Sequence, residues 1–332
     1  MKLKTPELDI ELFSNLTALI IGDVMIDAYL WGKVDRISPE APVPIVNINN
    51  KENRLGGAAN VALNIRELGA IPILCSVIGE DLDGISFLEL LNNAEISTAG
   101  IIKSNSRITT SKTRVIAHTQ QVLRIDSETD VEINENEREQ LYSRIKELID
   151  KLRIDVVIFE DYDKGVISEK LIADVVAICF LKNIPVTVDP KKRNFHHYHH
   201  VTLFKPNLKE LNDGMKVNVS NKNIPELNKV VSNLQNQLNA KAIMITLSDA
   251  GIYITDGNES KIIPAHVRNI ADVSGAGDTV ISVASLALAA GLSVVEAAEL
   301  ANLAGGLVCE KVGVVPITKE ELISEALEKN II

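Results

Sequence analysis

The chain has 332 residues, 46% of them hydrophobic and 24% charged, with a formal net charge of -11. That length and apolar share are enough for one large α/β domain or two smaller ones with a buried core. The acidic balance excludes a general nucleic-acid or membrane-surface binder, which would need a basic face, so any anionic substrate must be met by local cations.

Residues 1 to 15 carry Glu7, Asp9 and Glu11 without a basic-then-apolar leader, and no apolar run reaches membrane-spanning length, so a cytoplasmic protein is expected. The first strand-like run, LTALIIGDV (16–24), ends in GDVMID, which places Asp23 and Asp27 at a strand exit. A dinucleotide G-x-G-x-x-G would stand directly after this strand, and it is absent there. Residues 28–54 follow with prolines at 39, 42 and 44 among β-type neighbours and give no helical period. Gly56 and Gly57 then let the backbone approach a ligand, and Asn60 offers both a donor and an acceptor; taken alone, the glycine pair equally marks a tight turn.

Further strand-length runs are IPILCSVIG (71–79), IDVVIFED (154–161), IPVTVD (184–189), VTLFKPN (201–207) and AIMITLS (242–248). Helical patterns separate many of them: Asn134 to Leu152, Ser168 to Lys182 and Ile224 to Leu238. Continuous apolar strands alternating with helices predict a parallel sheet covered on both faces, with ligands at the strand ends. Residues 107–126 break the rhythm as alternating strands and, with 28–54, predict a small separate sheet. Cys75, Cys179 and Cys309 lie far apart in apolar segments without C-x-x-C spacing, as reduced core thiols do. His196, His197, His199 and His200 flank Tyr198 in consecutive pairs, a pattern that reads as a solvated loop and not a zinc helix. The single Trp31 reads as packing in the small sheet.

The richest segment is DVSGAGDT (272–279), followed by the Ala-rich helical run VISVASLALAAG. Gly275, Ala276 and Gly277 fall at the helix start, where unpaired amides and the helix dipole suit a phosphoryl group. Asp278 beside that cradle would repel a merely bound phosphate and suits a base that takes a proton from an attacking hydroxyl. A helix whose Asp only complements the dipole accounts for the same residues. In KPNLKE, Asn207 and Glu210 stand three apart, the spacing of an N-terminal capping box.

DVSGAGDT and the earlier GGAAN resemble the two signatures of the ribokinase-like (PfkB) carbohydrate kinases, about two hundred residues apart and in the right order. RISPEAPVPIV, RLGGAANVALNI, QQVLRID, DYDKG and DPKKRNFHHY narrow the resemblance to the heptose 7-phosphate kinases of ADP-heptose synthesis, over roughly Leu16 to Thr318. The resemblance implies a three-layer α/β/α fold with a mostly parallel sheet, forming a single domain over 1–332 with a β-sheet lid from segments near 28–54 and 107–126. It implies Asp278 as the base, Gly275 to Gly277 as the anion cradle, and Asp27, Gly56, Gly57 and Asn60 on the sugar. It further implies Asn207, Leu208, Lys209, Glu210 and Ser274 on ATP, with Asn207 and Glu210 organising Mg2+ indirectly and a monovalent cation as an optional addition. Ser274 stands where the family usually has threonine, and the hydroxyl survives.

A sugar phosphate acceptor would account for cations near the strand ends and lid: Lys112, Arg114, Lys191 and, foremost, Arg124 and Lys164. A homodimer through the lid is expected. The bifunctional relatives of this family continue into a nucleotidyltransferase carrying an H-x-G-H motif; these 332 residues show none, so only the kinase reaction is expected. The alternatives are a ribokinase-like kinase for another sugar, sugar phosphate or nucleoside, and a catalytically silent nucleotide or sugar sensor on the same fold.

Overall fold

The computed structural model describes residues 10–117, 120–266 and 268–331. Strand β1 (Thr17–Gly22) lies near one end of a nine-stranded sheet, between β4 (Ile71–Gly79) and β8 (Val156–Glu160). Beyond β4 comes β5 (Ser97–Ser104); beyond β8 come β9 (Val186–Asp189), β10 (Leu203–Phe204), β11 (Ala242–Thr246), β12 (Ile252–Thr255) and β13 (Ser260–Ile263). Pairing is parallel from β5 through β11 and antiparallel only at the β11–β12–β13 edge. Strand order therefore reverses at β1 and β8, the kind of switch point where open α/β sheets form a ligand crevice.

Apolar residues on both faces of these strands explain the layering. Ala18 and Ile20 face one core with Val156 and Ile158, while Leu19 and Ile21 face another with Val157 and Phe159. The first core is closed by α1 (Ala58–Glu67), α2 (Leu82–Asn93), α7 (Ala276–Ala289), α8 (Val294–Val308) and α9 (Lys319–Glu328). The second is closed by α3 (Glu135–Lys151), α4 (Glu169–Lys182), α5 (Leu208–Met215) and α6 (Ile224–Leu238). Each fully buried Leu or Ile contributes roughly 1.5–3 kcal/mol to this arrangement. Helix starts match their cap residues: Asn134 and Glu137 form a capping box on α3, and Ser168 caps α4.

The two segments without helical period form the second sheet, ordered β3-β2-β6-β7. Its strands are β2 (Val24–Ile37), β3 (Pro44–Gly57), β6 (Thr110–Ala117) and β7 (Gln120–Ser127). His118 and Thr119, inside the expected lid segment, lie outside the described residues, as do 1–9, Val267 and Ile332. The expected strand over 201–207 shortens to Leu203–Phe204, although Lys205 and Pro206 still bond the neighbouring strands, through Val188 and Thr246, before Asn207 caps α5. Cys75 and Cys179 are buried free thiols whose pKa burial pushes up to about 12. No helix among the described residues is long and apolar enough to cross a membrane.

Candidate active site

Helix α7 starts at Ala276, with Gly275 at its N-cap in a left-handed conformation (φ 80°) that a residue with a Cβ rarely adopts. No side chain caps this end; the Ala276 amide donates to the Val273 carbonyl at 3.3 Å, which leaves the Gly277 and Asp278 amides of the first turn for a ligand. A Cβ on Gly277 would stand 3.6 Å from Asp189 Oδ2 and 3.8 Å from Lys205 Nζ, so the glycine keeps the space above that pair open. One turn in, Asp278 is 6% exposed, with both carboxylate oxygens held. Asn60 Nδ2 donates to Oδ2 at 2.6 Å, and the Tyr162 hydroxyl donates to Oδ1 at 2.9 Å. Burial raises the Asp278 pKa above the ordinary carboxylate value against the opposing pull of these two bonds, which makes it a stronger base than a surface Asp.

The floor of the crevice comes from the ends of β8, β9 and β10. Lys205 Nζ pairs with Asp189 Oδ2 at 2.7 Å, while Lys191 Nζ reaches Asp189 Oδ1 at 3.4 Å and Glu210 Oε1 at 2.6 Å. Burial alone would raise the pKa of Asp189, but the two lysines outweigh it and hold the carboxyl below its usual range. Beside them Glu160 is 0% exposed, and neither of its carboxylate oxygens has a hydrogen-bond partner among the described residues. Burial, reinforced by Asp189 and Asp278, pushes its pKa well up.

Asn207 and Glu210 form the capping box of α5: Asn207 Oδ1 accepts from the Glu210 amide at 2.8 Å, and Glu210 Oε2 accepts from the Asn207 amide at 2.8 Å. Leu208 and Lys209 form the first turn of that helix. Among the described residues no three acidic, His or Cys side chains close around a metal. An oxygen-bearing rim of this kind suits Mg2+, which keeps most of its waters and takes phosphate oxygens. Substituting Glu210 by Gln should keep one acceptor for the cap but lose the ion pair with Lys191, lowering the unfolding midpoint modestly while weakening magnesium dependence. An unchanged magnesium titration would reduce Glu210 to a cap.

The lid sheet carries further candidate residues. Asp27 is buried and pairs with Arg114, whose guanidinium lies 5.4 Å from the Tyr29 ring centroid, with Arg54 at 4.8 Å from the same ring. Gly56 makes room for this carboxylate, as a Cβ there would stand 2.3 Å from Asp27 Oδ2. Gly57, at φ 61°, turns the lid strand into α1, and a Cβ there would meet the Asp23 carbonyl oxygen at 2.4 Å. Trp31 stacks on Tyr29, with centroids 6.1 Å apart.

Cross-strand register puts Arg124 directly opposite Arg114, on the face that carries Asp27. Arg124 lies at the rim, 51% exposed, in a two-pronged pair with Asp126 at 2.9 Å for both bonds. Lys164 pairs with Glu128 at 2.7 Å, and Lys112 approaches the same carboxylate at 3.9 Å.

Contacts tie Asn60, Gly275, Gly277 and Asp278 together at the start of α7, Asp189 and Lys191 connect that start to Glu210 and the cap of α5, and Asp27, Gly56 and Gly57 stand where the lid strands meet α1. Asn60, read from the sequence as a sugar ligand, gives one of its two amide N–H donors to the base. The Ser274 hydroxyl, read as an ATP contact, donates to Asp272 Oδ1 at 2.9 Å, while Asp272 Oδ2 accepts from the Gly313 amide at 2.9 Å. These bonds shape the loop that presents the cradle. Among the histidines, His196 meets the Gly214 carbonyl and His200 meets Asn239. Sequence reasoning missed Tyr162, Glu160, Asp189 and Lys205 as chemistry. DYDKG, DPKK and FKPN did contain a signal: charged or hydroxyl residues directly at the ends of apolar strands.

Residues 16–320 match the pfkB family of carbohydrate kinases. The protein called Bifunctional protein HldE from Sulfurimonas denitrificans is 39% identical over 304 residues, 92% of this chain and 63% of that one. The protein of the same name from Magnetococcus marinus is 40% identical over 312 residues, covering 93% and 64%. The chain spans a little under two thirds of the length of these relatives. In fold it resembles phosphofructokinase-2 from Escherichia coli in complex with potassium, with a TM-score of 0.78 at 17% identity over 95% of this chain and 99% of that one. It also resembles ribokinase from Arabidopsis thaliana complexed with ribose and ATP, with a TM-score of 0.70 at 15% identity over 93% and 98%.

Proposed function

The chain belongs to the pfkB family of carbohydrate kinases, and from that premise we propose that it transfers the γ-phosphoryl group of ATP to O1 of D-glycero-D-manno-heptose 7-phosphate, giving the 1,7-bisphosphate. The observation that carries the kinase chemistry is Asp278 held by Asn60 and Tyr162 at an uncapped, glycine-lined helix start, above buried Lys205. Asp278 accepts the proton of the attacking hydroxyl. Amides of Gly275 to Gly277 bind the oxygens of the transferring group, and Lys205 and Lys191 make the potential there more positive. Asp27, fixed by Arg114, accepts from sugar hydroxyls, and Gly56 and Gly57 let the backbone approach the ring.

Mg2+ accompanies ATP in this reading, near Asn207 and Glu210, and supplies neutralisation of phosphate charge. A monovalent cation is a further candidate, supported by the potassium of the phosphofructokinase-2 complex. The chain acts as one kinase domain with β2, β3, β6 and β7 as its lid. The lid face away from the crevice carries Leu30, Val115, Leu123 and Ile125 across three strands, with Leu123 and Ile125 exposed, and this apolar face supports a homodimer formed through the lid.

The choice of acceptor rests on the motif resemblance and on the rim cations. Arg124, Lys112 and Lys164 each hold a carboxylate that a ligand phosphate would compete with. Binding energy from a remote phosphate can orient the reacting hydroxyl and close the lid, so an acceptor without it should lose turnover as well as affinity. Arg124→Ala should lower kcat/KM for the heptose 7-phosphate by about ten- to a hundredfold, the worth of a charge-assisted bond, and barely affect the dephosphorylated heptose. Steady-state kinetics of both sugars on both proteins checks this. Equal losses would make Arg124 a lid support only, and a wild-type preference for the unphosphorylated sugar would overturn the acceptor while leaving the kinase.

A further inference from the structure

The loop that follows β8 delivers a tyrosine to the base, and its whole path is fixed by a second buried acid. Asp23, at the end of β1, is 1% exposed. Its Oδ2 accepts from the amides of Tyr162 and Lys164, each at 3.0 Å, and its Oδ1 accepts from the amide of Val166 at 2.9 Å. Three amide bonds to one carboxylate leave the segment from 162 to 166 little freedom. The preceding residue, Asp161, is held in turn by Asn194 at 3.0 Å and the Tyr198 hydroxyl at 2.8 Å. From this rigid loop the Tyr162 hydroxyl reaches Asp278 Oδ1, and Lys191 Nζ lies 5.5 Å from the Tyr162 ring centroid, over its face.

We propose that Tyr162 is a positioning residue for phosphoryl transfer, whose hydroxyl sets the plane of the Asp278 carboxylate so that a free lone pair faces the acceptor hydroxyl. The inference rests on Asp278 as the base. A carboxylate turns easily about its last torsion, and a single donor would leave that rotation open. Donors on both oxygens, Asn60 from α1 and Tyr162 from the β8 loop, close it. Both bonds also favour the ionised form, the one competent to take a proton. The other charged groups facing Asp278 are Glu160 at the end of β8, Asp189 and Lys191 at and after the end of β9, and Lys205 after β10. None of them hydrogen-bonds Tyr162 among the described residues, so removing its hydroxyl leaves them in place.

Tyr162→Phe keeps the ring and removes only that donor. With ATP and D-glycero-D-manno-heptose 7-phosphate, kcat should fall about tenfold to a hundredfold, as expected for a misplaced base, while KM for ATP stays within about twofold. The acid limb of kcat/KM should move up by about one pH unit, because the ionised carboxylate has lost a bond. The Asp278 carboxyl, followed by 13C NMR and assigned by its loss in Asp278→Asn, should titrate higher by the same amount, a measurement that needs no acceptor. Substituting 3-fluorotyrosine at 162, a stronger donor of the same shape, should move the titration the other way. An unmoved titration in both variants, or a lower unfolding temperature with an unmoved acid limb, would make Tyr162 a packing residue and overturn the inference. Near-native turnover in Asp278→Asn would instead remove the base itself. A dead Asn variant beside a native Phe variant sinks only the role of Tyr162.

Discussion

Asp278→Asn should lower kcat by roughly two to four orders of magnitude, the range lost with a positioned proton acceptor, while ATP still binds. The substitution keeps the shape of the site. Asn60 continues to donate to the amide oxygen, and the Tyr162 hydroxyl can rotate to accept from the new NH2 group, so the helix start and the cradle amides stay where they are. Stability should move in the opposite direction to activity. Burial raises the Asp278 pKa in the folded protein, so the folded state holds the proton more tightly than the unfolded chain, and the ionised group costs stability at neutral pH. A neutral Asn removes that cost, and its unfolding midpoint should equal or exceed the native one at pH 7, with the difference vanishing as pH falls below the unfolded carboxylate value of about 4. Turnover within a fewfold of native would show that the hydroxyl loses its proton without Asp278. A marked loss of stability at neutral pH would show that the carboxylate is there for the fold.

The layers of this protein are legible in its sequence, because they are written in local patterns. Apolar runs at 16–24, 71–79, 154–161 and 242–248 become β1, β4, β8 and β11, and the helical periods between Asn134 and Leu238 become α3, α4 and α6, with Asn134 and Ser168 at their caps. The glycine-lined start of α7 is legible for the same reason: DVSGAGDT has to break the strand pattern before an Ala-rich helix can begin. Short edge strands are another matter. β12 and β13 have four residues each, too few to show a period, and their antiparallel pairing is a property of the sheet edge.

The floor of the crevice was hidden for a topological reason. Glu160, Asp189 and Lys205 end three strands far apart in the chain, and only the order β10-β9-β8-β1 sets them side by side, with Asp189 and Lys205 next to Gly277. Composition says that such charges exist; strand order says which of them meet. The same holds for Tyr162, whose hydroxyl finds Asp278 across 116 positions of sequence. Conversely, Asn207 and Glu210 are neighbours whatever the fold, which is why their capping box could be read from spacing and any metal role could not.

Lys205→Met should cost about 3 kcal/mol of stability, near the lower end for breaking a buried pair, because Lys191 still stands 3.4 Å from the abandoned Asp189. The methionine fills the space of the lysine stem and leaves a buried carboxylate with one partner fewer. The pH window follows from the two shifts. Asp189 titrates below its usual range when folded, so its share of the pair's stability is present above the unfolded value near 4 and lost as pH falls through the folded value. Burial lowers and Asp189 raises the Lys205 pKa, with the net direction upward, so its share is complete below the unfolded value near 10.4 and lost as pH rises through the folded one. Urea midpoints should therefore differ by a constant amount between about pH 5 and pH 9 and converge in acid. Combining Lys205→Met with Asp189→Leu separates fold from function, since replacing both partners of a buried pair by apolar side chains is often neutral or stabilising. If the double variant regains the lost stability yet binds Mg·ATP weakly and turns over slowly, the ion pair is kept for the phosphates above it. If activity returns together with stability, Lys205 serves only the sheet, and the positive potential under Gly277 must come from Lys191 alone.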